Sequence, residues 1–361
     1  MKLNHEGEID ECFMLGFFIG GIHLIGIYLI CFILFPLCVM VQAKKITRTS
    51  VMLEKQDTEV IKGIATCFVI LAHLIQPLKT ISGYSKFLNL YSIAVGGVGV
   101  LLFFFVSGYG LFKSYRDKEF DTLFLKKRFL NVYFPCVFIQ MIFCLVNSYM
   151  QQSFNIVEMI LDILFGAWFI DVIMIQYFIF FISWKFAKGR HDIWITLSFL
   201  GSMIVALVFI HSGFNARWYN GLMLFPFGML IAYKEEKLIS LILKKWNVSL
   251  LLSAIMFTLS GVFFSYFKGN SAVINIVKTF SGMCLSMMVC VMFLRIKFCS
   301  KLMLYIGKRS LYFYLVHVNL LSILLTIEGI REVPIFYMVL ILTFFIVEVF
   351  YRLRIDEKRL V

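Results

Sequence analysis

The feature that most constrains this chain is a series of eleven long apolar runs separated by loops of no more than about 20 residues. A membrane-spanning helix needs roughly 20 mostly apolar residues, because lipid offers no partner to an unpaired backbone amide. The runs cover 13–41, 60–79, 90–112, 130–149, 164–184, 193–211, 216–233, 248–267, 272–294, 310–327 and 333–351. Charged residues make up 15% of the chain against 61% hydrophobic, too few to coat a water-exposed surface. Forty-one phenylalanines and sixteen tyrosines exclude a disordered chain. The reading is an all-α polytopic membrane protein with about eleven spans. No loop has room for a folded domain, so any chemistry belongs within the membrane or at its edge.

Basic residues set the expected orientation. Loops on one side carry 26 lysines and arginines, and those on the other side carry six. The positive-inside rule then places the N-terminus outside and the C-terminus in the cytoplasm. It also accounts for the net charge of +13 without nucleic acid as a partner. The first run is not expected to be a cleaved signal: it is too long, and Glu6, Glu8, Asp10 and Glu11 precede it. Most of the nine cysteines sit in apolar runs, and none has zinc-ligand spacing, so no metal is expected. No repeat and no pair of short broken helices is visible.

Ionisable groups inside spans are costly and mark candidate sites. They are His23, Lys62, His73, Asp171, Lys278, His317 and Glu348. Lys62 and Glu348 lie near cytoplasmic ends, where snorkelling alone would explain them. Asp171 and Lys278 lie towards the outer ends of their spans and either pair or line a cavity. His23 reads as a neutral histidine bonded to a neighbouring helix. His73 follows Lys62 by eleven residues, about 20° beyond three full turns and about 16 Å further along the axis. Thr66 and Gln76 fall close to the same line. This polar stripe either lines a tunnel with a cation at its mouth and a base inside, or binds the helix to its neighbours. His317 follows the basic edge Gly307-Lys308-Arg309 and should sit near mid-depth.

These segments, in this order, resemble the membrane-bound acyltransferase 3 family, whose bacterial members acylate cell-surface sugars. Lys62 through His73 is similar to the family's basic residue, ten residues, histidine motif. Phe103-Phe104-Phe105-Val106-Ser107-Gly108-Tyr109 is similar to its phenylalanine-rich Ser-Gly segment. Lys126-Lys127-Arg128 through Pro135, Trp168-Phe169-Ile170, and Gly307 through Tyr314 and His317 resemble three further motifs. The resemblance runs from about residue 60 to 350. It implies residues 60–361 as a ten-helix core and 1–59 as an added N-terminal span with a basic cytoplasmic linker.

The resemblance also implies a mechanism. Acyl-CoA, most simply acetyl-CoA, would enter from the cytoplasm as co-substrate. Lys62, Lys127, Arg128 and Ser107 would hold it, and His73 would act as base on an acceptor hydroxyl. Gln76, Tyr109, Trp168, Asp171, Lys278, Tyr314 and His317 are secondary candidates. Lys62 stands where arginine is more usual, and Asn131 stands where a second arginine is common. The expected location is the bacterial plasma membrane, and the acceptor a surface or lipid-linked glycan. Transfer would be direct or through a separate extracytoplasmic protein. Outward residues His211 to Asn220, with Arg217, Trp218 and Tyr219, are candidates for acceptor recognition or interfacial anchors. The alternatives are a transporter or flippase of a polar or lipid-linked solute, and a non-catalytic scaffold or sensor.

Overall fold

The computed structural model describes residues 24–47, 50–80, 86–118, 123–266 and 271–360; His23 lies outside them. In order, the helices are α1 (Leu24–Met40), α2 (Lys55–Ile75), α3 (Lys86–Tyr115), α4 (Phe124–Met150) and α5 (Ile156–Phe165). They continue with α6 (Trp168–Ala187), α7 (His191–His211), α8 (Leu224–Tyr233), α9 (Glu235–Lys244) and α10 (Trp246–Tyr266). The last four are α11 (Ser271–Phe293), α12 (Lys301–Lys308), α13 (Ser310–Leu325) and α14 (Glu332–Leu360). Among the described residues, eight helices are long and apolar enough to cross a membrane. The expected spans at 13–41, 216–233 and 310–327 correspond to shorter apolar helices: α1, α8 and α13. The outward side chains are those of a chain solvated by lipid, with Phe345 at 71% and Phe186 at 68% exposure.

Local sequence places the helix ends. Glu54 and Asp57 form a reciprocal capping box that starts α2. Asn155 accepts from the amides of Val157 and Glu158 and starts α5. Lys44–Lys45 and Ile296–Lys297 form a two-strand antiparallel ladder, β1 and β2, at the basic end. Beside it, Lys297 pairs with Glu54, whose carboxylate holds the lysine ammonium above its usual range.

Two helix crossings are made of backbone. Gly63 on α2 faces the Met303 backbone of α12, and Gly307 on α12 faces the Glu59 backbone of α2. A Cβ at either glycine would fall inside the opposite main chain. Gly108 on α3 and Gly228 on α8 are matched against Phe225 and Phe105 in the same way. Lipid supplies no hydrophobic drive between helices, so close approach through small residues holds such bundles together. The glycines of the Ser107-Gly108 segment and of the Gly307 motif therefore have a packing role.

The expected span 164–184 is the helix α6, and a short helix, α5, that the sequence did not mark precedes it. α5 runs back along α4 for about 15 Å. The chain then breaks at Gly166–Ala167 and restarts as α6. Gly166 is pressed against the Asp162 carbonyl and the Gln140 amide, leaving no room for a side chain. The Tyr133 hydroxyl donates to the Leu164 carbonyl at 3.1 Å, pinning the end of α5 to the middle of α4. α6 then runs over Trp168–Ala187, long and apolar enough to cross a membrane, with Asp171 in its first turn, at the end of the span where the sequence placed it.

Candidate functional site

α2 and α13 meet so that two ring nitrogens touch: His73 Nδ1 lies 2.9 Å from His317 Nε2. The rings are nearly parallel, 16° apart, with centroids 5.2 Å apart. His317 is fully buried. Its other nitrogen, Nδ1, lies 2.7 Å from the Phe313 carbonyl, one turn back on the same helix. These contacts fix the protons by elimination. A carbonyl only accepts, so His317 Nδ1 carries hydrogen and donates. In the neutral ring Nε2 then holds a lone pair, so His73 Nδ1 must donate to it. When His73 is neutral as well, its Nε2 is a bare lone pair, with no described residue donating to it. The arrangement is a general base oriented by a second group that is itself oriented by a third.

An aromatic wall surrounds the pair. The Tyr314 ring stands edge-on to His317 at 6.1 Å, and Phe169 edge-on to Tyr314 at 5.5 Å. Phe169 also packs on Phe103 and Phe104, at 5.6 and 5.3 Å, and on Trp168 at 6.0 Å. The break at Gly166 is what allows this: it sets the first turn of α6, with Trp168, Phe169 and Asp171, at the depth of the histidines. Asp171 has a buried carboxylate oxygen, Oδ2, without a hydrogen-bond partner.

The other members of the expected stripe divide. Lys62 is partly exposed and pairs with Glu59 at 3.2 Å. The Thr66 hydroxyl is buried and donates to the Lys62 carbonyl at 2.7 Å, so its own helix uses it. Gln76 is exposed and lies beyond α2, in a tight turn over Gln76–Thr80. Pro77 has no N–H with which to extend the helix.

Arg128 and Ser107 come together around Tyr177. The Arg128 guanidinium stacks over Phe124 and Tyr177, 5.2 and 5.4 Å from the ring centroids. The Ser107 side chain lies beside the Tyr177 phenol. Arg128 Nε is buried without a hydrogen-bond partner. Lys127 is exposed beside it, and Asn131 donates to the Lys127 carbonyl at 2.7 Å.

The remaining candidates lie apart. The Tyr109 hydroxyl donates to Glu235 at 2.8 Å. Glu235 also accepts from the Met52 amide and pairs with Lys113 at 2.9 Å. This buried clamp escaped the sequence reading because Glu235-Glu236-Lys237 looks like a solvated charge run. The ion pairs among the described residues do not join Asp171 to Lys278. Glu348 accepts from Tyr305 at 2.7 Å and meets Arg309 and Arg352, so it anchors α14 to α12 and does not simply snorkel. Arg309 lies between the Tyr305 and Tyr351 rings, 3.9 Å from each centroid. Trp218 packs into an aromatic group with Phe209 and Phe214, and Tyr219 is buried; neither stands free for a ligand.

Compared with known families, residues 56–352 match the family whose model is described as an acyltransferase domain. No curated protein and no solved structure matches the chain.

Proposed function

The chain belongs to the acyltransferase 3 family of multi-pass membrane proteins, and from that premise we propose that it moves an acyl group, acetyl in the simplest case, from a cytoplasmic CoA thioester to a hydroxyl of a surface or lipid-linked glycan. One observation carries the mechanism: the chain Phe313 carbonyl, His317, His73, which ends in the open Nε2 of His73. A histidine held in one tautomer with a free lone pair is equipped to remove a hydroxyl proton near neutral pH.

In the proposed step His73 Nε2 takes the acceptor's hydroxyl proton as its oxygen bonds to the thioester carbonyl carbon. The carbon–sulfur bond then breaks, and the departing CoA sulfur recovers the proton from His73. His317 positions His73 and takes up part of the imidazolium charge through the shared hydrogen bond. Arg128, with Ser107 and Lys62, is placed to bind the donor's phosphates on the way in, since guanidinium and ammonium groups form charge-assisted bonds to phosphate oxygens. Asp171, with its unpartnered oxygen at the depth of the histidines, is placed to accept a hydrogen bond from an acceptor hydroxyl. The setting is the bacterial plasma membrane, and a separate extracytoplasmic transferase is the alternative final acceptor.

The test is release of free CoA from acetyl-CoA by purified protein in nanodiscs, with and without a surface-glycan extract. Release that requires the extract supports the reading. A well-folded protein that neither binds nor consumes acetyl-CoA contradicts it. A short helix such as α5, ten residues long and followed by a break, is also what a transporter would use. Uptake or flipping of a solute without acyl-CoA would favour that second reading.

A further inference from the structure

Tyr314 links the histidine pair to a loop between α7 and α8, at the end of the bundle away from the basic ladder. Its ring stands edge-on to His317 on one side and to Phe169 on the other. Phe169 lies in the first turn of α6, where backbone N–H groups have no intrahelical acceptor, and its backbone lies beside the Tyr314 hydroxyl. Two charges of opposite sign are within electrostatic reach of that hydroxyl. One is Asp171, two residues further along α6, and the other is Arg217. Asp171 keeps a buried oxygen without a hydrogen-bond partner. Among the described residues, neither charge enters an ion pair.

Arg217 is presented by a fixed turn, Ala216–Trp218. The Asn215 side chain accepts from the Arg217 amide at 3.1 Å, and the Ala216 carbonyl accepts from the Asn220 amide at 2.9 Å. Trp218 is packed against Phe209 and Phe214, and Tyr219 is buried. From Ala216 to Asn220, Arg217 alone is exposed. Gly221 (φ 93°) then brings the chain onto Leu101 and Phe104, and Phe104 packs on Phe169. The turn itself packs on α6. Its backbone is therefore held beside the helix that carries Phe169 and Asp171, and the guanidinium is the part left to meet a ligand.

These groups divide the work of reading a polar ligand. A carboxylate accepts hydrogen bonds from hydroxyls and repels an anion, whereas a phenol both donates and accepts. A guanidinium offers a fork of donors that fits a carboxylate or a phosphate. A neutral sugar needs only the carboxylate and the phenol. The cation gains a use when the acceptor carries negative charge of its own. Neutralising Asp171 would bring the two charges together as an ion pair, which they do not form. An ionisable group left without a partner in a membrane-embedded site is a candidate for binding.

We infer that Arg217 makes the protein select an anionic acceptor: the guanidinium holds a carboxylate or phosphate of the acceptor sugar, while Tyr314 and Asp171 hold its hydroxyls beside the histidine pair. The inference rests on the acyltransferase reading and adds the charge of the acceptor, which that reading leaves open. The test is CoA release from acetyl-CoA by the full chain in phosphatidylcholine nanodiscs, with a surface-glycan extract split by anion exchange. Release should follow the retained, anionic fraction. Chemical reduction of its carboxylates or enzymatic removal of its phosphates should abolish release, and the treatment that does so identifies the anion. Arg217→Ala should raise the amount of this fraction needed for half-maximal rate by about tenfold or more, with kcat and the KM for acetyl-CoA nearly unchanged. Arg217→Lys should retain part of the affinity. Added salt should weaken the acceptor affinity of wild type more than that of Arg217→Ala. Arg217 is exposed, so its variants are expected to fold. Release supported by the neutral flow-through alone or equally well, release that survives both treatments, or an Arg217→Ala variant with unchanged acceptor affinity would overturn the assignment. Each of those results leaves acetyl-CoA turnover intact and removes only the charge selection. Wild type that neither binds nor consumes acetyl-CoA with the whole extract removes the acyltransferase reading as well.

Discussion

Two buried polar clusters in this bundle are built on opposite plans. The Glu235 clamp is charged and saturated. Its carboxylate takes the Met52 amide, the Tyr109 hydroxyl and the Lys113 ammonium, tying the segment before α2 to α3 and α9. The histidine pair is left open at one end, where His73 Nε2 faces no described donor. A buried group with every bond made is a fastening, because moving it breaks several bonds at once. A buried group with one site held free by the rest of its chain of bonds is prepared for a ligand or a proton.

The comparison can be broken or sharpened by substitution. The largest effect is expected at His73→Ala, which should lower kcat by about 10²–10⁴ and leave thermal unfolding near that of wild type. Measuring CoA release beside the melting transition checks both. The Glu235 cluster should behave in reverse: Glu235→Ala strands Lys113 and the Met52 amide in a buried site, at a cost of about 3–5 kcal/mol. Turnover of the surviving folded fraction should be normal. Replacing Glu235 and Lys113 together with apolar residues of similar volume should recover most of that stability. If the double replacement stays as unstable as Glu235→Ala, the clamp is not the simple fastening described.

Next in size is His317→Ala. Loss of the positioning group should cost about 10² in kcat while leaving the KM for acetyl-CoA unchanged. A purely structural histidine would alter both constants or only stability. Gly307→Leu should force α12 off α2, with a stability loss of about 1–3 kcal/mol or more, read as a lower melting temperature. Smallest is Thr66→Val. Its hydroxyl serves its own helix, so less than about 1 kcal/mol and no measurable change in turnover are expected. A large activity loss there would restore the polar stripe as a tunnel lining.

The membrane character was legible in the sequence because a run of apolar residues between basic loops has few other stable uses. The positions of the eight long helices follow those runs. The short helix α5 and its turn at Gly166 were not legible. The apolar run continues across the break, and Glu158 and Asp162 made α5 look like a loop. What sets the break is Gln140 and the Tyr133–Leu164 bond, both contributed by α4. Within the site, His73 and His317 were each singled out as costly histidines. Their union was beyond reach, since 244 residues separate them and only the crossing of α2 with α13 joins them. Arg128 and Ser107 were named from the resemblance, but Tyr177, which brings them together, carries no signal of its own in an aromatic-rich span.

The central claim is that His73 and His317 act as one unit, and a double-substitution cycle tests it most directly. CoA release would be measured in nanodiscs for wild type, His73→Ala, His317→Ala and the double variant. If His317 works only through His73, the double variant should be no slower than His73→Ala alone, because groups acting as a unit are far from additive. Losses that multiply, with the double variant slower than His73→Ala by the full factor seen for His317→Ala, would mean that the two histidines act independently.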